Sequence, residues 1–159
     1  TTKMPPEELA VMINACDYAI GISDAEGFGL STLESLSCGK PIIVNMTGGL
    51  QEQVTDGKNW FGWGIQPSAK SVIGSLQVPY IYEDRISQED FTDAMKKALN
   101  LSKSKYKKMS DSCLEHVNKN YNFENYEKNW VELMDSIIEK HGSWENRKIY
   151  KRWHLMEVA

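Results

Sequence analysis

The sequence predicts an α/β domain in which helices flank a parallel sheet and the C-terminus is helical. Two short apolar runs predict strands at about 18–22 and 42–45; a helical pattern lies between them, and helical patterns fill the chain from about residue 88. Continuous apolar runs bounded by turn-forming residues are typical of strands buried on both faces of a parallel sheet. Strand-helix alternation followed by helices is the pattern of an α/β domain.

The two strands and the helix between them are the predicted centre of the fold. Leucines at helical spacing predict that helix at about 30–38: Leu30, Leu33 and Leu36. Gly39 suits the left-handed position after the last turn, and Pro41 cannot continue the helix. Residues 18–45 therefore predict one β-α-β unit with a right-handed crossover.

The other predicted elements lie on either side of this unit. A helix at about 6–15 precedes it, with prolines and acidic residues at its start, where both are favoured. A further strand is predicted at 60–65, whereas 66–88 shows no clear period and is interpreted as an insertion. Three helices are predicted beyond it, at about 88–100, 103–119 and 123–140.

The composition argues against several classes of protein. The chain has 159 residues, of which 41% are hydrophobic and 25% charged, as is ordinary for one compact domain. Its formal net charge of -4 argues against a nucleic-acid-binding protein, which needs a dense cationic surface. No apolar stretch approaches the roughly 20 residues of a membrane span, and no secretion signal is evident. We therefore expect a soluble domain.

The cysteines and histidines lack the spacing of a metal site: Cys16, Cys38, Cys113, His116, His141 and His154. An odd number of cysteines without such spacing is the pattern of a reduced protein that holds no zinc. We therefore expect a cytoplasmic protein without bound metal.

The segment that carries the chemistry leaves the first predicted strand, turns through two glycines and enters the next helix. Gly27 and Gly29 allow a sharp turn and a close approach of the backbone to a ligand. The N–H groups at the helix start, from Gly29 to Thr32, have no partner within the helix and suit an anion such as a diphosphate. The alternative is an ordinary strand-to-helix connection, in which glycines are common.

Two glutamates accompany this turn. Glu26 lies within it, where the carboxylate can accept hydrogen bonds from sugar hydroxyls or, alternatively, cap the helix. Glu34 lies about 40° around the helix from Leu30, at the border of the predicted leucine stripe. A carboxylate at the edge of a buried face needs a partner, and the two hydroxyls of a ribose suit its two oxygens.

Residues 26–34, with the sequence EGFGLSTLE, resemble the two-glutamate signature of the family-4 retaining glycosyltransferases, which have the GT-B fold. The resemblance continues through SLSCGKPIIV at 35–44 and covers about 5–65 in all. It implies that the domain is Rossmann-like and is the C-terminal, nucleotide-sugar-binding half of a GT-B glycosyltransferase. We assign this domain to 1–142.

The resemblance also implies a role for each residue of the segment. Glu26, the candidate catalytic residue, would contact hydroxyls of the donor hexose, and Glu34 would bind the nucleotide ribose. Backbone groups would hold the hexose and diphosphate at Gly27, Phe28, Gly29, Leu30, Ser31 and Thr32. A second set of residues follows the second strand at the same edge of the sheet and either lines the donor pocket or forms a plain turn: Thr47, Gly48 and Gly49.

The activity that the resemblance implies is transfer of a hexose, with retention, from a GDP- or UDP-sugar such as GDP-mannose or UDP-glucose. The family pattern uses helix amides and basic side chains where other transferases use a metal, so we expect no cofactor and no metal. A non-catalytic subunit that binds a nucleotide sugar or stabilises a partner is the alternative. A nucleotide-sugar epimerase is a third interpretation, for which further catalytic acids would be expected.

Two parts of such an enzyme are missing from this sequence. Residues 4–39 contain six acidic residues and no lysine or arginine, which is a poor environment for a leaving diphosphate. The family places a basic pair and an N-terminal acceptor-binding domain before the point at which this chain begins. We therefore expect the chain alone to be inactive. The basic, aromatic tail at 143–159 is expected to pack on that N-terminal domain, with a peripheral membrane contact as the alternative.

Overall fold

The computed structural model describes residues 4–149 and confirms an α/β fold with a parallel sheet flanked by helices. The first elements are α1 (Pro6–Asn14), β1 (Ala19–Gly21), α2 (Leu30–Ser37), β2 (Ile42–Asn45), α3 (Leu50–Val54) and β3 (Gly62–Ile65). They are followed by β4 (Ala69–Ser75), β5 (Val78–Arg85), α4 (Gln88–Leu99), α5 (Lys103–Asn120) and α6 (Phe123–His141). The chain divides into two compact units, Thr1–Lys119 and Asn120–Ala159.

The main sheet of the first unit has three parallel strands in the order β1-β2-β3. Ile42 of β2 is aligned with Ala19 of β1 and with Gly62 of β3. Because β2 is the middle strand, the side chains of Ile42, Ile43 and Val44 are fully buried. These residues form the apolar run from which the strand was predicted.

Helices cover both faces of this sheet, because successive side chains of a strand point to opposite faces. Ile42 and Val44 lie in one core cluster, which also contains Leu36, Leu50, Val54 and Cys113 from α2, α3 and α5, and Phe61, the residue before β3. Ile43 lies in the other cluster, together with Ile65 of β3 and with Ala94 and Ala98 of α4. The first unit therefore has helix, sheet and helix layers.

Five helices are observed within one residue of their predicted ends, whereas two features were not predicted. Helix α3 has only five residues, too few to show a helical period. The segment 66–88 contains an antiparallel hairpin of β4 and β5, although the sequence pattern indicates no element there. Val72, Tyr80 and Tyr82 of the hairpin are all exposed. Because neither strand buries one face, neither shows the alternation of polar and apolar residues that is typical of a half-buried strand.

The second unit contains α6, which begins where the Asn122 side chain accepts a 2.7 Å hydrogen bond from Asn125 N. It ends at Gly142, whose φ of 78° favours glycine. Part of the predicted tail, 150–159, lies outside the described residues, so the domain boundary at 142 and the packing of the tail stay predictions. No helix within residues 4–149 is long and apolar enough to cross a membrane.

Candidate functional site

Two glycine-containing connections meet at the edge of the sheet where β1 and β2 end. The first glycine loop, residues 22–29, joins β1 to α2, and the second glycine turn, residues 46–49, joins β2 to α3. Gly49 N donates a 3.0 Å hydrogen bond to Gly27 O. A Cβ atom at Gly48 would lie 1.6 Å from Glu26 O, so only glycine permits this approach. The turn thus packs directly against the loop, and its contact with a donor stays a prediction.

Gly29 ends the first glycine loop in a left-handed conformation, with a φ of 85°. A Cβ atom there would lie 2.5 Å from Leu50 Cδ2 and 2.8 Å from Thr32 Oγ1, so both the conformation and the packing require glycine. Within the part of the chain that the structure describes, no hydrogen bond uses the N–H groups of Gly29, Leu30 or Ser31. These amides are therefore able to donate to a ligand.

The buried face of α2 differs from the predicted leucine stripe. Leu30 is 67% exposed, whereas Thr32, Ser35 and Leu36 are buried. Small residues face the sheet because α2 approaches β1 closely: a Cβ atom at Gly21 would lie 2.8 Å from Thr32 Cγ2. The buried hydroxyls are hydrogen-bonded, which removes the cost of burying them. The predicted stripe is therefore wrong at its first leucine.

The two glutamates lie on the connection between β1 and α2. Glu34 is exposed and shares one side of α2 with Leu30, four residues earlier. Because that side is open to solvent, the prediction that Glu34 lies at the edge of a buried face is wrong. Glu26 is half-buried within the first glycine loop. Their contacts with hexose and ribose hydroxyls stay predictions.

Gln53 of α3 is a site residue that the sequence analysis missed. Its side chain is 0% exposed, and its Nε2 donates to Phe28 O at 2.6 Å and to Gly29 O at 3.1 Å. Its Oε1 lies 2.6 Å from the Thr32 hydroxyl, which is a donor. The only signal in the sequence is that Gln53 takes a core-facing position between Leu50 and Val54 of a short helix.

The hairpin is also attached to the site. Asn45, which is fully buried, donates from Nδ2 to Ser23 O at 3.0 Å and to Asp84 O at 2.8 Å. Asp84 N donates to Asp24 O at 2.7 Å, and the Thr47 hydroxyl donates to Asp84 Oδ2 at 2.8 Å. The end of β5 therefore contacts both glycine-containing connections. Because these partners are far apart in the chain, their pairing could not be predicted from local pattern.

Arg85 brings a cation to this acidic part of the molecule. Its guanidinium forms ion pairs with Asp24 of the first glycine loop and with Glu83 of β5. Arg85 is thus shared between two carboxylates, and it does not supply a free positive charge for a diphosphate. Among the ion pairs formed within residues 4–149, Asp24 is the one acidic residue of the stretch 4–39 that pairs with a cation.

A parallel sheet with a glycine-rich loop that opens a helix at the carboxyl ends of its strands is the arrangement in which open α/β domains bind ligands. Comparison with known families identifies the class of protein. The family described as glycosyl transferases group 1 matches residues 1–114, and the chain belongs to this family.

Curated relatives include transferases from an archaeon and from bacteria. An uncharacterized glycosyltransferase of Methanocaldococcus jannaschii is 40% identical over 53 residues, 33% of this chain and 15% of that protein. The D-inositol 3-phosphate glycosyltransferase of Corynebacterium urealyticum is 29% identical over 133 residues, 84% of this chain and 26% of that protein. The enzyme of that name from Acidothermus cellulolyticus is 41% identical over 56 residues, 35% of this chain and 12% of that protein. The chain thus spans about a quarter or less of the length of these relatives.

Proposed function

We propose that this chain is the donor-binding half of a retaining, metal-independent glycosyltransferase of family 4, which transfers a hexose from a GDP- or UDP-sugar to an acceptor. The observation that carries the proposal is the first glycine loop, where the EGFGLSTLE segment opens α2 at the carboxyl edge of the sheet. Membership of the glycosyl transferases group 1 supports it.

Each part of the donor has a matching group in this site. The N–H groups of Gly29, Leu30 and Ser31 donate to diphosphate oxygens, and the helix dipole favours the negative charge. Glu26, half-buried beside the second glycine turn, accepts hydrogen bonds from hexose hydroxyls. Glu34, on the exposed side of α2, accepts from the two ribose hydroxyls.

In the transfer step, the bond between the anomeric carbon and the diphosphate oxygen breaks, and a bond to the acceptor oxygen forms on the same face of the sugar. Negative charge grows on the leaving diphosphate, whose departing oxygen takes up the proton of the acceptor hydroxyl. Amides that are already aimed at the diphosphate stabilise this charge without having to reorganise. They are the contribution of this chain to catalysis.

The positively charged side chains that stabilise the leaving diphosphate come from outside this chain. The stretch 4–39 has no lysine or arginine, and Arg85 is held between Asp24 and Glu83. A basic pair and an acceptor-binding domain preceding this chain complete the site, exclude water and hold the acceptor in register.

The test is donor affinity in the full-length enzyme, measured by calorimetry with UDP- and GDP-sugars. Glu34→Ala should weaken binding by about 1–3 kcal/mol, because the ribose hydroxyls lose their acceptor. Glu115→Ala removes an exposed glutamate from α5 and is the matched control, which should bind as the wild type does. Equal affinity of Glu34→Ala and wild type would disprove the ribose assignment.

A further inference from the structure

We infer that Gln53 is a positioning residue that aims the amides of the first glycine loop at the donor diphosphate; this inference rests on the proposed function. Gln53 is completely buried, and its Nε2 donates to two successive carbonyl oxygens of the loop, Phe28 O at 2.6 Å and Gly29 O at 3.1 Å. No other side chain of the described residues donates to both carbonyls.

Peptide planarity converts these two hydrogen bonds into an orientation of the amides. In a trans peptide, the carbonyl of one residue and the N–H of the next point in opposite directions. When Gln53 holds the Phe28 and Gly29 carbonyls toward the core, the N–H groups of Gly29 and Leu30 point away from it. Those are amides that no protein acceptor uses within the described residues.

The loop needs such a residue because its own sequence does not fix its conformation. Glycine visits left-handed and right-handed conformations with similar ease, and a Cβ atom at Gly27 would meet nothing within 4 Å. Gly27 is held through its carbonyl, which accepts from Gly49 N at 3.0 Å, and not by side-chain packing. Gly29 has a φ of 85°, which glycine can leave at little cost. The hydrogen bonds from Gln53 stabilise one of the available conformations.

Thr32 fixes which way the Gln53 amide faces. Its hydroxyl lies 2.6 Å from Gln53 Oε1 and 2.8 Å from Gly29 O, and it has one proton to donate. Gly29 O already accepts from Leu33 N at 3.2 Å and from Gln53 Nε2, so Oε1 is the acceptor in greater need of that proton. With Oε1 held by Thr32, the NH₂ group of Gln53 must face the loop carbonyls.

The experiment compares two substitutions of adjacent, fully buried residues of α3 in the full-length enzyme. Gln53→Met keeps the length of the side chain and removes its hydrogen bonds. Val54→Ala destabilises the same helix without touching the loop, since Val54 lies in the core cluster with Phe61. The probes are GDP and UDP, each paired with guanosine or uridine, which lack both phosphates.

Gln53→Met should raise the Kd of the nucleoside diphosphate about tenfold and that of the nucleoside much less, because the loop amides are no longer aimed at the diphosphate. Val54→Ala should lower the Tm and leave the ratio of the two Kd values unchanged. A Gln53→Met enzyme whose two Kd values rise by the same factor, or not at all, would overturn the inference.

Gln53→Glu provides a second test if Gln53→Met does not fold. Burial raises the pKa of a carboxyl, and its ionised form is repelled by the two loop carbonyls. The protonated form can donate one hydrogen bond to them. As the pH falls and the carboxyl takes up its proton, the ratio of the variant's Kd for UDP or GDP to the wild-type Kd should fall. A ratio that does not change with pH would contradict the role assigned to Gln53.

The wild-type enzyme separates a failure of this inference from a failure of the proposed function. Binding of neither nucleoside diphosphate by the wild type would refute the proposed function itself. Binding by the wild type that Gln53→Met leaves intact would refute the positioning role alone.

Discussion

Gly48 is the residue at which the second glycine turn touches the first glycine loop, and it is sensitive to any side chain. Its φ is 47°, and a Cβ atom would lie 1.6 Å from Glu26 O. We expect Gly48→Ala to lose about 1–2 kcal/mol from the left-handed conformation and about 1–3 kcal/mol more from the collision. Denaturant unfolding gives the free energy, and donor affinity should fall with it because Glu26 is displaced.

Gly57→Ala is the control for Gly48→Ala. Gly57 also has a positive φ, 85°, but a Cβ atom there would meet nothing within 4 Å. Gly57→Ala should therefore lose only the free energy of unfolding that the left-handed conformation costs, and it should bind the donor as the wild type does. Equal losses of unfolding free energy in both variants would show that the contact between the loop and the turn adds no cost at Gly48.

The buried His116 should make the free energy of unfolding depend on pH. It stacks on Phe61 with ring centroids 3.9 Å apart, and burial lowers the pKa of its imidazole, an effect partly opposed by Asp56. The unfolded chain then binds more protons than the folded one below about pH 6.5. The free energy of unfolding should therefore fall as the pH drops from about 7 to 5, a range in which ordinary carboxylates stay ionised.

His116→Phe keeps an aromatic ring against Phe61 and should flatten this pH dependence, as followed by urea unfolding at several pH values. His141→Phe, at an exposed position in the second unit, is the matched control and should keep the wild-type slope. A slope unchanged in His116→Phe would show that another group is responsible.

The sequence predicts parts of the candidate site that lie in one short segment or directly follow a predicted strand, such as the turn at Gly48 and Gly49. Glu26, Gly27 and Gly29 lie in one short segment whose order identifies the connection between a strand and a helix. Gln53 and Asp84 were missed, because a hydrogen bond across 25 or 37 positions leaves no local pattern. Leu30 was assigned to the core because a helical period cannot tell a buried face from an exposed apolar one.

The hairpin is the element whose attachment can be tested most directly. Asp84→Ala removes the acceptor of Thr47 and the partner of Lys70, at 2.8 and 3.5 Å. We expect amide hydrogen exchange to become faster in 69–85 and in 23–24, since the end of β5 is no longer held by this side chain. Unfolding free energy should drop by about 1 kcal/mol, because the Asp84 side chain is partly exposed.

Asp93→Ala is the control for the hairpin. Asp93 is exposed on α4 and pairs with Lys96 at 3.8 Å, without touching either glycine-containing connection. It should leave hydrogen exchange in both segments unchanged. Unaltered exchange in Asp84→Ala would mean that the backbone hydrogen bonds of Asp84 and the Asn45 side chain hold the hairpin without help.

Helices and strands can be predicted where their burial leaves a regular pattern of apolar residues in the sequence. β2 is buried on both faces, and its run of Ile42, Ile43 and Val44 predicts it directly. β4 and β5 are exposed on both faces, so their apolar and polar residues follow no burial pattern. The prolines and glycine of 66–88 favour turns, although the segment forms a bulged hairpin.

We expect the whole enzyme to catalyse transfer without a divalent cation. In the proposed mechanism, the amides of α2 and basic residues elsewhere in the enzyme would take the part that a metal bound by carboxylates plays in other transferases. Transfer by the full-length enzyme should therefore be the same in excess chelator as in buffer. Loss of transfer in chelator that manganese restores would contradict this prediction.

The central claim is that this chain is the donor-binding half of a glycosyltransferase and cannot complete the reaction by itself. It is tested most directly by incubating the full-length enzyme and the 159-residue chain separately with labelled GDP- and UDP-sugars and a panel of acceptors. We predict transfer with retention by the full-length enzyme and none by the chain alone, because the stretch 4–39 has no lysine or arginine and the proposed acceptor-binding domain would be needed to exclude water. Robust transfer by the chain alone, or no transfer from any nucleotide sugar by the full-length enzyme, would contradict the account.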